Sequence, residues 1–196
     1  MPAPEVDSPG TLLMRAADGD QGAWNALVDG HNGLLWSIAR GYRLSLADAG
    51  DAVQTTWLKL VENLHAITDP DKVGSWLATT IRRECLRLLR RSGREQPQPG
   101  DHATFETVDG APRVDERLLV AERDAELWAA FTELPERCQC LLRVLIASPR
   151  PGYDAVAAAL DMPIGSIGPT RARCLARLRA LLEERQPELQ RKGGRG

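Results

Sequence analysis

The stretch YDAVAAALDMPIGSIGPTRARCLARLRALLEER, Tyr153 to Arg185, decides the fold class. It opens with a short helical segment that carries Tyr153, Val156, Ala157 and Leu160 on one face. The turn Asp161-Met162-Pro163-Ile164-Gly165 follows, and then a long helical run from near Ser166. Short helix, tight Gly-containing turn and longer helix make the helix-turn-helix pattern. Helical periodicity gathers Ile164, Ile167, Leu175, Leu178 and Leu182 on one side of the long helix, and Ser166, Pro169, Thr170, Arg173 and Arg177 on the other. The polar side is what such a helix presents to a DNA major groove, where Arg pairs with guanine or phosphate and Ser or Thr with either. Arg171 lies toward the apolar side and reaches phosphate by snorkelling. Ser166 is placed to cap the helix, and Pro169 then falls in its first turn, where a missing N–H costs nothing.

The rest of the 196 residues is helical as well, since Ala, Leu and Arg dominate and strand alternation is absent. Candidate helices are Thr11–Asp18, Gln21–Tyr42, Ala47–Asn63 and Lys72–Arg91 in the first half. In the second they are Val114–Glu133, Pro135–Ala147, Tyr153–Leu160 and Ser166–Arg185. Asp20 and Ser45 are placed as caps. Between the halves, Ser92-Gly93-Arg94-Glu95-Gln96-Pro97-Gln98-Pro99-Gly100 prevents a packed helix and reads as a linker. The expected architecture is all-α, with two small helical domains, residues 11–92 and 119–186, joined by a flexible acidic linker over 93–118. Residues 1–10 and 187–196 are expected to be a disordered N-terminus and a flexible tail.

A charged fraction of 27% and an apolar fraction of 43% fit a globular chain, and no run approaches a membrane span. Met1 to Gly10 has neither a basic start nor an apolar core, so no signal peptide and a cytoplasmic location are expected. Four Cys in that setting are expected to be buried thiols. The net charge of −2 hides a segmentation. Residues 63–99 carry +3 and residues 161–196 carry +4, with −5 over 100–126 between them. Two separated basic blocks point to two contacts with one polyanion.

In Lys72–Arg91, Leu77, Ile81, Cys85 and Leu88 keep core spacing, while Arg83, Arg87, Arg90 and Arg94 form a narrow stripe. Like charges stacked this way repel unless an anion lies alongside, which favours nucleic-acid phosphate; Glu84 lies off the stripe. In Ala47–Asn63, Val53, Trp57, Leu60 and Leu64 make the buried stripe. Asp51, Gln54, Thr55 and Leu58 make a mixed one, and a Leu among polar residues there fits either a protein partner or a plain surface.

These segments together resemble the extracytoplasmic-function (group IV) sigma factors of bacterial RNA polymerase. Asp48-Ala49-Gly50-Asp51-Ala52-Val53-Gln54-Thr55-Thr56-Trp57-Leu58 is similar to their polymerase-binding helix, with Gly50 and Thr55 where that family has acidic residues. Trp76-Leu77 through Arg90-Arg91 looks like their −10 helix, with Arg83 and Arg87 in place of Asn and Asp. Leu134-Pro135-Glu136-Arg137 resembles the start of their C-terminal module. Gly165 through Leu178 resembles their −35 helix, with Gly168 in place of a basic residue.

The resemblance implies transcription initiation with core RNA polymerase and promoter DNA as partners, and leaves an anti-sigma factor open. It implies polymerase contact through Asp48, Asp51, Gln54, Thr55 and Leu58, and −10 contact through Arg82, Arg83, Arg87, Arg90 and Arg91. It places −35 contact on Ser166, Pro169, Thr170, Arg171, Arg173 and Arg177. The loop Asn63–Ser75 resembles the one with which that family captures an unstacked base.

The competing readings are an independent dimeric helix-turn-helix regulator and a helical interaction module whose Arg stripes meet acidic protein. His31, His65 and His102 follow no metal spacing, and Cys138-Gln139-Cys140 puts its two thiols on diverging sides of a helix. No phosphate-binding Gly loop, nucleophile elbow or paired carboxylates occur. The expectation is a non-enzyme without cofactor or metal.

Overall fold

The computed structural model describes residues 7–91 and 124–193, with side chains through residue 185. The linker over 93–118, and the start of the helix expected from Val114, lie outside the described residues.

Helix α1 (Pro9–Ala17) begins inside the stretch expected to be disordered. The Ser8 hydroxyl accepts the Thr11 N–H at 3.1 Å, Pro9 opens the helix, and Ser8 Oγ donates to Asp71 Oδ1 at 3.0 Å. A cap, a preset φ and a tertiary tie together overcome terminal fraying. Helix α2 (Gln21–Gly41) starts at Asp20, whose carboxylate accepts from Ala23 N–H at 3.1 Å. Helix α3 (Leu46–Asn63) starts at Ser45, whose hydroxyl accepts from Asp48 N–H. A 3₁₀ turn (Pro70–Lys72) leads into α4 (Val73–Arg91). In the second half α5 covers 124–132, followed by α6 (Glu136–Leu145), α7 (Tyr153–Leu160) and α8 (Ile164–Gly193). Every regular element among the described residues is helical, and the all-α class is observed.

Helix α8 departs from expectation at both ends. It starts at Ile164, so Ser166 is inside it and its hydroxyl donates to the Pro163 carbonyl at 2.7 Å instead of capping. Pro169 therefore stands in the second turn, where it denies the Gly165 carbonyl its partner. At the other end the helix runs on to Gly193 through Glu188, Leu189, Gln190, Arg191 and Lys192, good helix formers ahead of the terminal glycines.

Leu13, Leu27, Leu35, Ile38, Leu60, Leu77 and Ile81 fill the first half, and Leu141, Val144, Val156 and Ile167 the second. The two sets join into one continuous apolar cluster. Helix α4 lies along α7, and α2 along α6. The close approach is set by small residues. A Cβ on Gly33 would run into the Ser148 carbonyl, and one on Gly41 into the Cys140 side chain. This docking explains a second departure. Helix α7 buries Ala155, Val156 and Ala159, while Tyr153 is 53% exposed, because its alanine face lies on α4 beside Gly74.

Candidate nucleic-acid interface

Helix α4 is amphipathic, with Val73, Leu77, Ala78, Ile81 and Cys85 buried. Burial of that side turns Arg83, Arg90 and Arg91 to solvent. Arg82 and Arg87 are held differently. Glu84 is buried, and it accepts from Lys59 Nζ at 2.5 Å and from Arg87 Nε at 2.7 Å. Burial alone would raise the Glu84 carboxyl, but the hydrogen bonds from Lys59 and Arg87 outweigh it and hold the group below its usual range. The anion that the stacked arginines need is thus partly internal, and Lys59 makes it a bridge between α3 and α4.

Arg82 points into the seam between the halves. Its guanidinium meets Asp161 Oδ2 at 2.6 Å, while its Nε is buried without a hydrogen-bond partner among the described residues. Asp161 ends α7 in the left-handed region at φ 52°. Nearby, Ser75 Oγ donates to Asp154 Oδ2 at 2.5 Å and Tyr42 Oη to the Ala159 carbonyl at 3.5 Å. His31, beside Gly74, is held below its usual range by burial. Arg82 therefore does not share the open surface of Arg83, Arg90 and Arg91. Trp76 is half-buried and packs against the core, at the end of the Asn63–Ser75 segment.

Helix α3 presents Asp51, Gln54 and Leu58 to solvent, Leu58 at 58% exposure, with Thr55 half-buried. Asp48 is engaged locally and accepts from Ser45 Oγ at 2.7 Å, so it helps to begin the helix. Val61, 52% exposed, extends this edge and was missed in the sequence, although it stands three residues beyond Leu58 and seven beyond Gln54.

On α8, Pro169, Arg171, Arg173 and Arg177 are exposed, and Ser166 and Thr170 half-buried. Arg173 Nη2 donates to Thr170 Oγ1 at 3.2 Å, which gathers the two polar side chains near the helix start. The buried seam is Ile167 and Cys174, flanked by Leu178 and Leu181; Ile164 and Leu175 are exposed. The seam sits slightly rotated from the apolar stripe, with Cys174, which is bonded to Cys138 of α6, buried in place of Leu175. That bond corrects the expectation of four buried thiols. Cys85 and Cys140 are the free ones. Gln139 closes the α5–α6 corner, its Nε2 donating to the carbonyls of Thr132 at 3.0 Å and Leu134 at 2.7 Å. Arg143 stacks on Trp128 and Phe131, 5.3 Å and 4.9 Å from the ring centres.

Among the described residues no group of three His, Cys, Asp or Glu gathers to hold a metal ion, and no helix is long and apolar enough to cross a membrane.

The α3 edge and the α4 arginines fall within one stretch that compares directly with known proteins. Residues 27–95 match the family model for sigma-70 region 2. The region 2 match runs from within α2 past the end of α4, and so holds both surfaces of the first half. No curated protein matches the chain. A solved structure titled "Structure of CnrH in complex with the cytosolic domain of CnrY" shares the fold, with a TM-score of 0.58 and 23% identity. The match covers 91% of this chain and 99% of that one, so the likeness in fold extends over both halves.

Proposed function

We propose that this chain is a sigma factor of the extracytoplasmic-function group, which joins core RNA polymerase and directs it to promoters. The observation that carries this reading is the region 2 match lying on the two helices with the open functional surfaces. In this reading Asp51, Gln54, Thr55 and Leu58 of α3, continued by Val61, receive the polymerase. Asp48 serves it indirectly by starting the helix. Arg83, Arg90 and Arg91 meet the phosphates around the −10 element, with Arg87 aimed by Glu84. Base capture by the Asn63–Ser75 segment costs a few kcal/mol, which these phosphate contacts help to return. Arg82 joins them only when α7 moves off α4.

Thr170 and Arg173 read bases of the −35 element. Arg171 and Arg177 contact phosphate, and Ser166 and Pro169 line the same approach. The cellular place is the cytoplasm, and no catalytic group, metal or cofactor is required. A regulatory protein that covers these surfaces, of the anti-sigma kind, belongs to the reading because the fold relative was captured with the cytosolic domain of CnrY.

The test is co-purification with core RNA polymerase, followed by run-off transcription on genomic fragments. A sigma factor yields discrete starts only when both are present. A chain that shifts an operator duplex alone as a dimer, and never retains core polymerase, is the helix-turn-helix regulator instead.

A further inference from the structure

The four cysteines divide into two pairs of different character. Cys85 and Cys140 are buried free thiols, and burial pushes them up to about 12 and about 11. Cys138 and Cys174 are bonded to each other, with Cα atoms 5.4 Å apart and a sequence separation of 36. Cys138 stands in the first turn of α6 and Cys174 beside Arg173 on α8. The segment they close contains α7, the turn and the groove-facing start of α8.

The bond adds to an apolar contact of α8 that rests on Ile167, Leu178 and Leu181. Among its described side chains only Ile167 and Cys174 are fully buried, while Ile164 and Leu175 lie 53% and 43% exposed. A recognition helix must keep its angle to the rest of the motif in order to enter a groove. Beside its apolar anchors Ile167, Leu178 and Leu181, this one has a covalent tie to α6 between Ile167 and Leu178. Cys138 is half-buried and Cys174 is 1% exposed, so Cys138 is the more accessible of the two.

We propose that Cys138 and Cys174 form a reversible oxidation site that fixes the recognition helix, closed by a low-molecular-weight disulfide and opened by its thiol. The Cys138 thiolate attacks one sulfur of the small disulfide, breaking its S–S bond and releasing one thiol, which takes up the proton that Cys138 lost. The Cys174 thiolate then attacks the Cys138 sulfur of the mixed disulfide and expels the second thiol, which takes up the proton that Cys174 lost. Two protein thiols are oxidised and one small disulfide is reduced to two thiols. Reversibility rests on the sigma-factor reading: a protein that works on promoters sits among reduced thiols, where such a bond forms only as the oxidant rises.

The full chain is equilibrated in glutathione buffers from fully reduced to fully oxidised, quenched by alkylation and mapped by peptide mass spectrometry. The expected result is a Cys138–Cys174 link with a midpoint inside that range, and Cys85 and Cys140 as free thiols throughout. A different pairing, no link, or a link that survives the most reducing buffer overturns the proposal; the last outcome makes the bond a fixed staple. This arm needs neither DNA nor polymerase. In the second arm the holoenzyme transcribes a run-off-mapped promoter in both buffers. Initiation is expected to fall about tenfold on reduction, a common size for coupling between sites. The C138S/C174S double variant should behave as the reduced form in either buffer. Equal initiation by the natural chain in both buffers refutes the switch, whereas no initiation in any buffer after a successful first arm refutes the sigma-factor reading alone.

Discussion

At the scale of single residues, Glu84 decides more than its place in the sequence implies. It lies off the arginine stripe by periodicity, yet it is the acceptor for both Lys59 and Arg87, because the i,i+3 spacing and a neighbouring helix bring both cations to one buried carboxylate. Its ionised form is stabilised in the fold, so its contribution is complete above the ordinary carboxylate range and is lost as pH falls through the depressed folded value. Glu84→Gln should cost about 1–2 kcal/mol at pH 7, between an exposed and a fully buried pair, since Lys59 and Arg87 remain partly solvated. It should also flatten the loss of stability as pH falls below the ordinary carboxylate range, read as the urea midpoint against pH. On α8 the hydrogen bond from Arg173 to Thr170 separates Arg173 from Arg177. Arg173→Ala should relax preference at one −35 position, about 1–3 kcal/mol of discrimination, whereas Arg177→Ala should weaken all promoters alike. A promoter-library readout checks this; a uniform loss from Arg173→Ala would make that residue a phosphate contact as well.

At the scale of elements, α3 shows why pattern serves binding surfaces better than contacts. Its exposed Asp51, Gln54 and Leu58 follow from periodicity, as do buried Val53 and Leu60. Trp57 and Leu64 of the expected stripe are half-buried, whereas Ala49, Ala52 and Thr56 are buried with the core. Asp51→Arg together with Leu58→Arg should abolish retention by core polymerase while leaving far-UV circular dichroism unchanged, since neither side chain is buried; retained binding would move that interface elsewhere. Helix existence was legible throughout the described residues, because Ala- and Leu-rich segments with clear breakers leave little choice. Helix ends were less legible. Ser166 looks like a cap, but Ile164 already begins α8, and the starting residue decides whether Pro169 costs a hydrogen bond. The Cys138–Cys174 bond was not legible at all. Spacing along one helix shows that Cys138 and Cys140 diverge, but not that a residue 36 positions on comes to meet one of them.

At the scale of the whole molecule, the two basic surfaces lie on halves whose cores are continuous, an arrangement the sequence hides because small residues carry it. Gly33, Gly41, Gly74 and Ala155 have no hydrophobic weight in a pattern, yet they let α2 and α4 approach the second half closely. Each polar tie across this seam, Arg82–Asp161, Ser75–Asp154 and Arg43–Glu136, has an exposed carboxylate, which holds it to about 1 kcal/mol. The apolar contact is the stronger term. Asp161→Ala should therefore leave the radius of gyration of the free chain unchanged in small-angle X-ray scattering. Gly33→Leu, whose side chain would occupy the position of the Ser148 carbonyl, should raise it and free Arg82. With Arg82 released, the opened variant should bind non-specific duplex DNA more tightly than the natural chain, with a slope against salt steeper by about one phosphate contact. A Gly33→Leu chain that keeps full helical content and the natural radius would show that the seam tolerates the side chain, and that Arg82 stays withdrawn for another reason.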